Sequence, residues 1–116
     1  MTRGRLRPPL DAPAVGECSE VVVQLGGVVV EHILSGILDA SAAYDQDHDE
    51  WAVVLNGAAI LEVEGETIDL VAGDWVLLPA HVPHRLVETQ PGTTWLALRT
   101  APGAYEAAGG VSVAGD

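Results

Sequence analysis

Lysine and phenylalanine are missing from this 116-residue chain, and cysteine occurs once. With a single thiol, Cys18, no disulfide can form within the chain, which suits a reducing compartment. Without lysine, five arginines stand against seventeen acids, for a formal net charge of −12. Arg3, Arg5 and Arg7 crowd into the N-terminus, so only Arg85 and Arg99 offset the acids of the remaining chain. So acidic a body repels phosphate backbones and anionic lipid surfaces, which argues against nucleic acid and membrane partners. No run approaches the ~18 apolar residues of a membrane span. The basic start, MTRGRLRPPLDAP, lacks the apolar core of a secretory signal. These absences together predict a cytoplasmic protein. Helix-period segments and solenoid repeats are missing too. Without crossover helices, a parallel α/β sheet is excluded.

What is present is β-forming. Hydrophobic residues make up 48% of the chain, mostly Val, Leu and Ala, with thirteen Gly to turn it. Strands are expected at 20–25 and 28–34 around Gly26-Gly27, then at 50–55, 58–63, 66–71, 74–78, 84–89 and 93–100. Gly26-Gly27 tolerates positive φ at both positions, and Asn56-Gly57 is the strongest hairpin signal in the chain. Residues 35–43 read as a loop or bent strand. About eight short strands at regular spacing mean an all-β sandwich or barrel in one domain. Residues 1–17 read as an extended lead-in, 18–100 as the barrel, and 101–116 as a loose tail with room for one helical turn near Tyr105.

The chemistry concentrates between Tyr44 and His84. In an extended chain, residues two apart share a face. Tyr44, Gln46, His48 and Glu50 then point one way, followed by the small Ala52 and Val54, and Trp51 points the other. His84, Leu86 and Glu88 share a face of their own. A barrel interior receiving Glu50 and His84 from different strands can hold a divalent metal, since imidazole nitrogen and carboxylate oxygen suit zinc and non-haem iron. Adding His48 gives two His and one carboxylate; Gln46 offers a weaker amide oxygen. Plainer readings stand beside these. His48 lies in an acidic run (Asp45, Asp47, Asp49, Glu50) that serves equally as a solvated loop. His81 can simply fasten the 79–83 loop. His32 reads as a surface or interface residue, Trp51, Trp75 and Trp95 as core or interface, and Tyr44 as either a hydrogen-bond donor or packing.

Glu50, six residues, then Gly57 resembles the end of the first cupin motif, G(X)5HXH(X)3,4E(X)6G. Gly73, five residues, Pro79 and then His84 resemble the second, G(X)5PXG(X)2H(X)3N. The segments Tyr44-Asp45-Gln46, Asp49-Glu50-Trp51, Pro79-Ala80-His81, His84-Arg85 and Trp95-Leu96-Ala97 are similar to those of small single-domain bacterial cupins. Tyr44 and Gln46 replace the two His of HXH, His81 stands at the motif glycine and Glu88 at the closing Asn. The resemblance implies a jelly-roll β-barrel of antiparallel strands and a pocket for a small molecule. It also implies a divalent metal (Fe, Zn, Mn or Ni) on Glu50 and His84 with Gln46 or His48, and His81 and Glu88 at the rim. Dioxygenase, isomerase or cyclase chemistry would follow. A metal-free route remains open, with Glu50 as base and Tyr44 or His84 as acid, as does a plain ligand-binding module. A homodimer through part of residues 8–34 would cover the valine-rich strand edges.

Overall fold

The computed structural model describes residues 1–103. The expected helical turn near Tyr105 lies outside them. A 3-10 turn, Pro9–Asp11, precedes nine strands: β1 (Glu17–Leu25), β2 (Val28–Ser35), β3 (Ala42–Tyr44), β4 (Asp49–Asn56), β5 (Ala58–Val63), β6 (Glu66–Val71), β7 (Trp75–Leu78), β8 (His84–Thr89) and β9 (Thr93–Thr100). They form a five-stranded sheet, β1-β2-β9-β4-β7, and a four-stranded sheet, β3-β8-β5-β6. Every ladder within them is antiparallel. The two sheets face one another as a jelly roll, not linked into one closed ladder. Segment 35–43 supplies the additional strand β3.

Gly26-Gly27 and Glu64-Gly65 close hairpins, β1 with β2 and β5 with β6. Asn56-Gly57 does not. β4 and β5 belong to different sheets, so this pair turns the chain across the sandwich. Gly57 has φ +90°, and a Cβ there would lie 2.5 Å from Thr93 Oγ1 and 2.9 Å from Thr93 Cα. Gly57 takes the positive φ and Asn56 does not. Packing against β9, reinforced by the Asn56 side-chain amide donating to the Gly92 carbonyl (3.2 Å), sends β5 to the other sheet.

The core lies between the sheets. Ala52 and Val54 of β4, Val76 and Leu78 of β7, and Trp95 and Ala97 of β9 meet Ala59 and Leu61 of β5, Leu70 of β6 and Leu86 of β8. The register explains the sidedness: Glu50, Ala52 and Val54 pair with Arg99, Ala97 and Trp95, and all face inward. In β2 the same rule turns Glu31 and Ile33 to the interior, opposite Ala97 and Trp95. His32 therefore sits on the outer face, yet it is 1% exposed and its Nδ1 has no partner among the described residues. The surface or interface position expected for it is corrected: it is sealed in, and burial lowers its pKa.

Candidate functional site

A cavity of about 310 Å³ opens between the sheets. Its apolar floor is Ala52, Leu61, Val76, Leu78, Leu86 and Trp95. Its polar wall is Glu17, Glu31, Tyr44, Gln46, Glu50 and His84. Of the side chains singled out from sequence, Tyr44, Gln46, Glu50 and His84 thus share one cavity.

β3 and β8 position two of them as a cross-strand pair. Tyr44 is opposite His84 in the ladder, and their rings stack at 5.4 Å with 22° between planes. His84 is 8% exposed, and its Nδ1 lies 3.1 Å from the Val82 carbonyl. A carbonyl only accepts, so Nδ1 carries a proton and Nε2 is the ring nitrogen left to meet a ligand. Glu50 enters from β4 in the facing sheet. Burial raises its pKa, against the opposing pull of His84 and His48. Burial also raises the Tyr44 pKa, with Glu17 and Glu50 adding to the rise, so the phenol is held protonated as a donor.

The remaining expected residues lie elsewhere. His48 is outside the cavity wall, because the chain bends at Asp47 and His48 rather than staying extended. Its Nδ1 is 3.4 Å from Asp47 Oδ1, and its buried Nε2 has no partner among the described residues. His81 is exposed, with φ +61°, the left-handed conformation favoured by the glycine it replaces. Its N–H donates to the Gln46 carbonyl (2.7 Å) and its ring nitrogen lies 3.3 Å from Asp45 Oδ1, so it ties the 79–83 loop to the 45–48 loop. Glu88 faces outward. β8 carries a bulge, with Leu61 opposite Leu86 but Ile60 opposite Glu88, so Val87 is an additional residue that reverses the alternation. Thr89 points inward in its place and donates to the Gly36 carbonyl at 2.5 Å.

Glu17, Glu31 and Ser35 join the site without having been singled out. Ser35 Oγ donates to Glu17 Oε2 and accepts from Trp95 Nε1 (3.1 Å). Arg99 Nε lies 2.9 Å from Glu31 Oε1, close enough for an ion pair but off the direction of a good hydrogen bond. Two-residue spacing in β2 was the available signal: Glu31, Ile33 and Ser35 share one face.

The donor set also tests the expected metal. Among the described residues, no group of three or more His, Cys, Asp or Glu side chains is arranged to hold an ion. Glu50 and His84 are two strong donors, Gln46 adds only an amide, and His48 is outside the wall. These residues do not fit a facial Fe, Zn, Mn or Ni centre.

A family profile described as a cupin domain matches residues 29–96, more than half of the chain. The chain is a cupin. A solved structure from Ralstonia eutropha JMP134, provisionally named a mannose-6-phosphate isomerase, is similar to this cupin with a TM-score of 0.69 and 31% identity, covering 84% of this chain and 99% of that one. KdgF from Halomonas sp. has a TM-score of 0.62 and 24% identity, covering 74% and 81%. An RmlC-like cupin from Shewanella frigidimarina NCIMB 400 has a TM-score of 0.58 and 22% identity, covering 77% and 78%. The last two bear on the fold alone. No curated protein matches the cupin's sequence. No helix among its described residues is long and apolar enough to cross a membrane.

Proposed function

We propose that this cupin binds a small molecule in the cavity and isomerises or epimerises it by proton transfer. Glu50 removes a proton from a carbon beside a carbonyl. The Tyr44 hydroxyl donates to the oxygen on which charge develops, and His84 Nε2 accepts from a neighbouring hydroxyl. The proton returns to an adjacent carbon, or to the opposite face of the same one, so no external oxidant or reductant is consumed. The observation that supports this reading best is the shared cavity of Glu50 and His84. Burial raises the carboxyl towards the range useful for proton transfer, and the imidazole has its Nδ1 committed and its Nε2 open. The isomerase name of the Ralstonia protein supports the reaction class.

Deuterium exchange tests this whatever the product is. Aldoses, ketoses, 2-hydroxy ketones and 2-amino ketones are incubated with the protein in deuterated water, and loss of carbon-bound protons is followed by NMR. Exchange that Glu50→Gln abolishes, in a folded protein, is the expected result. Absence of exchange from every compound, or exchange indifferent to Glu50→Gln, overturns the proposal.

We also propose that two copies pair through β1. This edge strand has one hydrogen-bonded neighbour and leaves Val21, Val22, Val23 and Leu25 exposed. A long apolar edge of that kind calls for a cover.

A further inference from the structure

The cavity is divided by chemistry. Its floor is hydrocarbon, whereas three carboxyl groups, Glu17, Glu31 and Glu50, stand in its polar wall. No arginine is among the lining residues, and the chain has no lysine to offer. Arg99 is on the inward face of β9, but it is not among the lining residues and its charge is paired with Glu31 at 2.9 Å. His84, almost wholly buried, has its Nδ1 donating to the Val82 carbonyl, which leaves Nε2 as the ring nitrogen without a partner among the described residues. The wall is therefore rich in acceptors, with the Tyr44 hydroxyl among its few donors.

From this arrangement we infer that the cavity selects a small organic cation, a protonated amine carried on a hydrocarbon body, and rejects carboxylates and phosphates. The inference rests on the proposed ligand-binding role of the cavity and adds the charge of the ligand. An ammonium group has three N–H donors and no acceptor, which complements a wall of carboxyl groups. The stacked Tyr44 ring offers the same charge a π face. The hydrocarbon body covers the Leu61, Val76, Leu86 and Trp95 floor. A phosphate would enter among carboxyl groups with no arginine in the lining to meet it. The phosphate in the name of the Ralstonia protein is accordingly not carried over to this chain.

A series matched in shape and differing in charge tests this: benzylamine, benzyl alcohol and benzoate, with cyclohexylmethylamine, cyclohexylmethanol and cyclohexanecarboxylate as a second body. Binding to the full chain is read from NMR shifts of the Trp95 indole and the Val76 and Leu86 methyls at low salt. The amines should bind at least about tenfold tighter than the alcohols, and the acids should not saturate. Raising the salt should narrow the gap only modestly, because the charges are partly buried. Glu31→Gln, which leaves Arg99 without its counter-charge, should weaken the amines and admit the acids. Alcohols or acids that match the amines at the cavity overturn the charge selection and leave a ligand site standing. If no compound moves a cavity resonance, the inference fails. The deuterium-exchange experiment then decides whether the proton-transfer reading fails with it.

Discussion

Ser35→Ala should destabilise the fold by about 2 kcal/mol, although it removes one oxygen atom. Ser35 is fully buried at the end of β2, and its hydroxyl joins Trp95 Nε1–H to the Glu17 carboxylate. The two partners lose unequally. Glu17 is exposed and regains water. Trp95 is 5% exposed, so its indole N–H would be left in a dry wall without an acceptor. An unsatisfied buried donor costs about 1–3 kcal/mol. For a chain of this size that lowers Tm by roughly 8 °C. Urea unfolding followed by far-UV circular dichroism measures the change. A double-mutant cycle with Trp95→Phe isolates the bond: once the indole N–H is gone, Ser35→Ala should become cheaper by ~1–2 kcal/mol. A coupling within about 0.3 kcal/mol of zero refutes the assigned network.

Two further outcomes follow from the same geometry. Because burial raises the Glu50 pKa, the native state holds this proton at pH values where the unfolded chain has released it. Glu50 thus favours folding below its unfolded pKa, and that contribution is lost as pH rises to the folded value. Glu50→Gln should then gain stability over the wild type as pH is raised from 4 to 7, and parallel pH–stability curves would refute the assignment. For the proposed dimer, Val22→Lys together with Leu25→Lys should yield a monomer by light scattering while the circular dichroism spectrum is retained. A wild type that is monomeric at high micromolar concentration removes the β1 pairing.

Much of the fold was legible because it is written in two-residue alternation and glycine turns. The valine-rich strands and the Gly26-Gly27 hairpin follow from local pattern, whereas the pairing of Glu50 with His84 across the sheets was expected from the spacing of the cupin motifs. The misreadings have a common physical origin. Asn56-Gly57 specifies a backbone conformation but not which sheet receives the next strand; contact with Thr93 decides that. Glu88 follows the alternation on paper, and one bulge residue, Val87, reverses it. A place for His48 in the wall requires an extended chain through a segment that bends. Glu17 reads as lead-in, although β1 begins with it. His32 is hidden from local pattern altogether, since its burial depends on what covers the outside of the sheet. Arg7, far away in sequence, is near enough for its charge to act on it.

β1 hangs from the sandwich by a single ladder, and Glu17 and Ser19 on it are part of the cavity's boundary. The two loops carrying Gln46 and His81 are by contrast tied to each other. Fraying of the outermost strand would widen the cavity on that side. Whatever clasps that strand would set how long a guest stays inside, so residence time would depend on protein concentration even though every contact to the guest comes from one chain.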